Sequence, residues 1–290
     1  MSNLSASDYP AIPLAFHDDR EQGVFRFSPR AYSDADLLTK EQSRLFGRAW
    51  LYAGHESELP RNGDFITRKV GGRPLLIARG NDGQIRVFHN SCRHRGAAVC
   101  REPKGNAKTF QCFYHYWSYD NQGRLDGVPG KDSYGPGMKL EEMSLYQARM
   151  QSYRGWMFVC FSRDTEPLEK YLGEVCSYLD LILDQDDGGS AIVPGTHEYS
   201  MRANWKLLME NTVDVYHLNS THSRFMRDYV PKVLGLKTPD PRTAHEGSVA
   251  PRDLGNGHAV IEYRKFSGSA DERKRPDWED RKSTRLNSSH

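Results

Sequence analysis

Residues 90–117 read NSCRHRGAAVCREPKGNAKTFQCFYHYW and hold two cysteine–histidine pairs, Cys92-x-His94 and Cys112-x-x-His115. Seventeen residues, 95–111, separate the pairs. Each pair sits at a strand-to-loop junction, so two β-loops can close on one metal centre. Two thiolates and two imidazoles suit zinc or iron–sulfur chemistry. Chance neighbours in a core account poorly for two such pairs at ligand spacing. A structural zinc site usually groups like with like, as C-x₂₋₄-C and H-x₃₋₅-H. In this chain each loop brings one residue of each kind.

That interleaving suits a Rieske [2Fe–2S] cluster, in which two cysteines hold one iron and two histidines the other. Imidazoles in place of thiolates remove negative charge and raise the potential to roughly −150 mV or above, against about −400 mV for all-cysteine plant ferredoxins. Five cysteines (92, 100, 112, 160 and 176) are too few and too scattered for a disulfide framework. Cys100, Cys160 and Cys176 are expected to be buried free thiols.

Working outward, DFITRKV (64–70), RPLLIAR (73–79) and QIRVFHN (84–90) are short β-rich runs. Gly71-Gly72 and Asn81-Asp82-Gly83 separate them as hairpin turns. Further strands are expected around Phe110–His115, Trp117–Tyr119 and Gly155–Ser162, so residues 50–165 read as a small antiparallel β domain. Ahead of it, Ser33-Asp34 followed by Leu37, Leu38, Leu45 and Phe46 reads as a capped amphipathic helix. Behind it, Pro167 opens a helical segment with Leu168, Leu172, Val175 and Leu179 in phase. A strand is expected around Ile192–Ala203, then a helix over 204–217, then weak strand character only at 258–266.

The helix carries a second constellation. NWKLLMENTVDVYHLNSTH (204–222) places Asp214 and His217 three residues apart on one helical face. His222 is out of phase, so the helix must end or bend to bring it round. Two histidines and a carboxylate form the facial triad of non-haem Fe(II) oxygenases. A solvated helix end with two surface histidines is the plainer reading of this stretch taken alone. His17, His55, His89, His197, His245 and His258 lack partners at ligand spacing and read as structural or surface residues.

NSCRHRG with QCFYHYW resembles the Rieske signature of aromatic-ring-hydroxylating oxygenases, large (alpha) terminal subunit. The stretch 204–222 is similar to that family's second motif, N-W-K…E-N…D-x-Y-H-x₄-H. The likeness covers roughly residues 35–235. Tyr116 departs from the small residue often found after the second histidine, which leaves the ligands untouched but alters the loop. The resemblance implies an α+β chain: an N-terminal Rieske antiparallel β domain, then the first part of a helix-grip-like catalytic domain. It implies Cys92, His94, Cys112 and His115 as cluster ligands and His217 and His222 as Fe(II) ligands. Asp214 is implied as a carboxylate bridging His217 to His115 of a neighbouring subunit. Glu210 and Asn211 match the motif's E-N and are expected beside the ligands, a plain helix-surface role for Glu210 standing equally open.

The same likeness implies partners and reaction. Electrons come from NAD(P)H through a reductase, with or without a ferredoxin, in a homotrimer or an α₃β₃ assembly with a small beta subunit. The expected reaction is hydroxylation of an aromatic small molecule, chiefly cis-dihydroxylation. GNAKTFQCFYH and VPGTHEYSMRANWK resemble enzymes acting on aromatic carboxylates such as benzoate or cumate. A Rieske electron carrier without catalysis, or a monooxygenase or demethylase, is the alternative.

The family's third iron ligand is an acidic residue about a hundred residues past the second histidine, and only 68 residues follow His222. Asp240, Glu246 and Asp253 do not match its context. Residues 280–290, DRKSTRLNSSH, look like one reading frame of a sequencing adapter, so a gene fragment is expected, with the natural protein running to near Glu279. The implied divisions are 1–48, an N-terminal segment with a helix; 49–165, the Rieske domain; 166–279, an incomplete catalytic domain; and 280–290. Such a chain is expected to assemble a cluster but not to hydroxylate. A net charge of +2, from 40 Lys and Arg against 38 Asp and Glu, argues against a nucleic-acid or membrane-surface role. With neither a signal-peptide pattern nor a long apolar run, a cytoplasmic location is expected.

Overall fold

The computed structural model describes residues 16–135, 137–185, 189–193, 195, 197–215, 217–233 and 250–262. Two short strands, β1 (Phe16–Asp19) and β2 (Val24–Phe27), precede the one-turn helix α1 (Arg30–Ser33) and α2 (Ala35–Arg44). Strands β3 (Leu51–His55), β4 (Asp64–Val70), β5 (Arg73–Arg79) and β6 (Ile85–His89) follow. Next come β7 (Lys104–Asn106), β8 (Thr109–Gln111), β9 (Ser118–Asp120), β10 (Leu125–Gly127), β11 (Gln147–Tyr153) and β12 (Trp156–Cys160). Helices α3 (Leu168–Leu172), α4 (Val175–Leu183), α5 (Trp205–Val213), α6 (His217–Thr221) and α7 (Val230–Val233) lead to β13 (Ala250–Gly255) and β14 (His258–Glu262). The chain divides into two compact units. One is Asp34–Tyr171 with Ile182–His197; the other comprises the described parts of Met1–Ser33, Leu172–Leu181 and Glu198–His290.

The first unit is built on a seven-stranded sheet in the order β3-β12-β11-β6-β5-β4-β7, with a three-stranded sheet β10-β9-β8 beside it. Every described pairing is antiparallel. The β4–β5 hairpin turns on Gly71 and Gly72, both at positive φ (55° and 79°), as a two-residue turn matched to strand twist requires. The run Leu75-Leu76-Ile77-Ala78 is apolar throughout because both faces of the sheet are covered. Leu76, Ala78, Phe65 and Phe88 pack against Phe110, Tyr119, Cys92 and Cys112. Leu75, Ile77, Ile66 and Val87 point the other way, onto Ala53, Met157 and Val159. Each fully buried aliphatic side chain contributes roughly 1.5–3 kcal/mol. The first of these two cores therefore fixes the strand ends that carry the cysteines.

α2 begins where the sequence indicates: the Asp34 carboxylate accepts from the amides of Asp36 and Leu37 at 3.0 and 3.2 Å. In the second unit, β13 and β14 form a hairpin. Tyr178 donates to Glu262 at 2.5 Å, and Arg252 joins the same carboxylate at 3.0 Å. Tyr32 holds the N-terminal stretch to α5: its hydroxyl donates to both Glu210 oxygens at 2.7 and 2.9 Å, and its carbonyl accepts from Asn204 Nδ2.

Several expectations are corrected. The helix expected over 204–217 is α5 alone, ending at Val213, with Asp214 in extended conformation (φ −86°, ψ 117°) and helix resuming at His217. Asn211, Thr212, Val213, Asp214 and Val215 are a run of weak helix formers. The Thr212 hydroxyl also bonds back to Met209 O at 2.6 Å. No strand forms among the described residues of 192–203. The strand expected over 110–115 stops at Gln111, and the helix after Pro167 breaks at Gly173. Residues 240, 245, 246 and 280–290 lie outside the described ones. Among the described residues no helix is long and apolar enough to cross a membrane.

Candidate metal centres

The two cysteine–histidine loops are built alike. In the first, Cys92 N donates to Ala97 O at 2.7 Å and Gly96 N to Cys92 O at 2.8 Å. In the second, Cys112 N donates to Trp117 O at 2.8 Å and Tyr116 N to Cys112 O at 2.9 Å. Each loop is thus a closed turn beginning at its cysteine, with equivalent residues Gly96 and Tyr116 both in left-handed backbone (φ 76° and 59°). Glycine adopts that conformation freely and tyrosine at a cost. The Tyr116 side chain is 60% exposed, beside Phe113 and Tyr114, which are also exposed.

These turns bring the four ligand candidates together. Cys92 and Cys112 are buried free thiols, and the His94 and His115 ring centroids lie 4.5 Å apart. His94 stacks on Trp117 at 4.9 Å with 8° between planes. Its Nδ1 is buried with no hydrogen-bond partner. Burial first, then His115 and Arg95, hold His94 below the usual imidazole range. Burial, with the Cys92 sulfur beside it, pushes the Cys112 thiol up despite amide bonds from Tyr114 and His115. Two adjoining buried thiols and a buried, unpartnered ring nitrogen are groups that a cationic centre would satisfy. Among the described residues no three His, Cys, Asp or Glu gather on a single ion.

One participant carries no spacing signal. Tyr119 in β9 is fully buried, with its hydroxyl 3.3 Å from Cys92 Sγ and accepting from Arg93 N at 3.0 Å. Burial, then the Cys92 contact, raises the phenol's pKa well above its usual value. A cavity of about 470 Å³ opens beside the loops, lined by Arg93, His94, Trp117, Tyr134, Met138 and Met143.

In the second unit Asp214 Oδ2 lies 3.2 Å from His217 Nδ1, and the His217 and His222 ring centroids are 5.2 Å apart. The contact forms across the helix break rather than along a helical face. With a carboxylate on Nδ1, Nε2 is the His217 nitrogen that could take a metal. Glu210 is held by Tyr32, whose pKa the bond to Glu210 pushes up to about 12. Asn211 lies exposed on α5. Asp253 is in β13, accepting from Gly255 N at 2.9 Å. Of the remaining cysteines, Cys100 and Cys160 are buried as expected, but Cys176 is only half-buried. His55 is buried and caps a short turn, accepting from Ser57 N at 3.1 Å.

Residues 49–153 match the model of the Rieske [2Fe-2S] domain, and 192–287 match that of the ring hydroxylating alpha subunit (catalytic domain). The chain belongs to the Rieske ring-hydroxylating alpha-subunit family. Within that family it is 42% identical over 197 residues to biphenyl 2,3-dioxygenase subunit alpha of Rhodococcus jostii, which covers 68% of this chain and 43% of the relative. It is 36% identical to the anthranilate 1,2-dioxygenase large subunit of Acinetobacter baylyi over 206 residues, 70% of this chain and 44% of that one. A solved structure of naphthalene 1,2-dioxygenase from Rhodococcus sp. bound to indole superposes with a TM-score of 0.69 at 38% identity, covering 79% of this chain and 51% of the other. The chain therefore spans less than half the length of the curated relatives it matches. The two family domains imply a Rieske cluster and a mononuclear iron.

Proposed function

We propose that this chain belongs to a terminal oxygenase that hydroxylates an aromatic substrate with O₂ and reductase-supplied electrons. The observation that carries the reading is the pair of equivalent closed turns joining Cys92, His94, Cys112 and His115. In it, Cys92 and Cys112 hold one iron of the cluster and His94 and His115 the other, while His217 and His222 hold Fe(II). A Rieske centre supplies single electrons at moderate potential, and Fe(II) with open positions binds and activates O₂.

The chain's own residues prepare both sites. The closed turns fix the cysteines at strand ends, Trp117 sets the plane of the His94 ring, and the cavity beside His94 leaves that side open to an electron donor. Asp214 orients His217 through Nδ1 and is the proposed link to His115 of a neighbouring subunit in a trimer. A reductase, with or without a ferredoxin, and a small beta subunit complete the proposed assembly in the cytoplasm. The domain divisions follow the motifs: 49–165 for the cluster and 166–279 for the iron. The proposed product is a cis-dihydrodiol. An aromatic carboxylate remains the proposed substrate, supported by the likeness to an anthranilate enzyme; the likeness to the biphenyl enzyme favours a hydrocarbon instead. Among the described residues no third ligand joins His217 and His222, and the 290-residue chain is proposed not to hydroxylate alone.

The test is to purify the full chain and measure its visible spectrum, iron and acid-labile sulfide, beside Cys92→Ser. The reading expects a coloured protein with sulfide that the substitution abolishes. Colourless protein carrying zinc and no sulfide would refute it.

A further inference from the structure

Tyr32 touches the helix ahead of the two histidines at its start and in its last turn. Its carbonyl accepts from Nδ2 of Asn204, the N-cap of α5, at 3.0 Å. Its hydroxyl donates to both carboxylate oxygens of Glu210. Asn204 and Glu210 lie six residues apart, roughly 9 Å of helix axis, so one residue braces most of α5. The brace is itself anchored, since Ala31 is buried and the Tyr32 ring lies 5.2 Å from that of Phe27. With its pKa raised to about 12 by the Glu210 bond, the phenol stays a donor across the ordinary pH range.

Glu210 is also where α5 closes. Its main-chain carbonyl accepts from Asp214 N at 3.0 Å, after which the backbone turns extended. Asp214 then meets His217 Nδ1 at 3.2 Å. All of these residues belong to one compact unit. The His217 and His222 rings, 5.2 Å apart with a carboxylate behind one of them, form a donor set that suits a divalent metal.

We propose that Tyr32 is a positioning residue for the mononuclear metal site: by holding Glu210 it fixes where α5 ends, and so where Asp214 meets His217. The inference rests on the reading of His217 and His222 as metal ligands. The last turn of α5 needs such a hold, because Asn211, Thr212 and Val213 are weak helix formers and helix ends fray. Without the phenol, the turn that carries the Asp214 amide loosens, and the carboxylate no longer keeps one place beside the imidazole.

The test uses the full chain and Co(II), a divalent probe whose paramagnetism marks its ligands. Tyr32→Phe weakens Co(II) binding about three- to tenfold in a chelator competition, less than the about 10–100-fold expected on losing Asp214 itself. Added to Asp214→Asn it costs nothing further, because its effect passes through that carboxylate. In the Co(II)-loaded chain, the metal-shifted NMR line of the His217 Nδ1 proton exchanges faster with water once Tyr32 is Phe. Tyr178→Phe removes a comparable phenol–carboxylate bond, to Glu262 at 2.5 Å, and leaves affinity and line unchanged. Wild-type affinity and exchange in Tyr32→Phe would overturn the proposal. An equal loss in Tyr178→Phe, or full additivity with Asp214→Asn, would overturn it too. Should Tyr32→Phe fail to fold, Asn204→Ser decides, since serine keeps the cap but releases the Tyr32 carbonyl. Weaker Co(II) binding in that chain supports the proposal and unchanged binding overturns it. Absence of Co(II) binding by the unsubstituted chain would instead refute the ligand reading, and the proposal with it.

Discussion

Asn90 lies two residues before Cys92 and is 6% exposed. Its Nδ2 donates to Cys100 O at 2.6 Å, while its Oδ1 accepts from Val99 N at 3.0 Å and Cys100 N at 2.9 Å. Val99 and Cys100 are themselves buried, so Asn90→Ala strands three main-chain groups in the interior. A hydrogen bond is worth about 0.5–1.5 kcal/mol net, and a buried group left unpaired costs about 1–3 kcal/mol. Taking the low end of that penalty, about 1–1.7 kcal/mol for each group, gives an expected loss of about 3–5 kcal/mol. At a urea slope of about 2 kcal/mol per M, the unfolding midpoint falls by roughly 1.5–2.5 M. Far-UV circular dichroism and cluster absorbance should register that fall together. Ser91→Ala is the control, because it loses one 3.3 Å bond to Gly96 O at a partly exposed site. It should stay within about 0.5 kcal/mol of wild type. An Asn90→Ala midpoint matching that of Ser91→Ala would mean the three groups find other partners, and the reasoning would fail.

Tyr116→Gly relieves left-handed strain of about 1–2 kcal/mol. Glycine's chain entropy returns about 0.5–1 kcal/mol of that, so chemical denaturation should show a gain of about 0.5–1 kcal/mol. Asp214→Asn should weaken Fe(II) binding about 10–100-fold in a chelator competition, since the carboxylate that orients His217 is lost; undiminished affinity would remove Asp214 from the site. Burial alone would raise the pKa of Asp64, but bonds from Asn106 Nδ2 and the Arg61 amide, with the Arg61 guanidinium, hold it below its ordinary 3.8. A depressed native pKa gives stability that is present above the unfolded value and lost as pH falls through the native one. Asp64→Asn should therefore flatten the fall of Tm with pH below about pH 4, and an unchanged acid limb would contradict this.

The strands legible in the sequence are those whose local chemistry is self-sufficient. β4 and β5 have the bounds their alternation and the Gly71-Gly72 turn indicate, because turn and pattern agree within a dozen residues. LYAGH, QARMQSY and APRDLG, the strands β3, β11 and β13, carry weak apolar patterns that do not announce a strand; β3 is made one by the distant β12, while β11 and β13 each pair with the strand that follows them. The proposed cluster ligands stand out in the sequence because spacing alone brings Cys and His into one loop. Tyr119, 27 residues from Cys92, and Tyr32, 178 from Glu210, were not, since only the tertiary fold makes those neighbours. The Asp214–His217 contact was anticipated for a continuous helix, yet it forms at a break that the weak helix formers around Asp214 produce.

The matched closure of the two cysteine loops bears on how such a protein matures. Each turn is tied by its own pair of main-chain hydrogen bonds and anchored on a strand that the core already holds. The turns thus rest on main-chain hydrogen bonds and core packing as well as on any metal bond, whereas a zinc finger is unfolded without its metal. The expected outcome is that the chain stripped of its cluster keeps its far-UV circular dichroism and regains its visible spectrum when iron and sulfide are supplied.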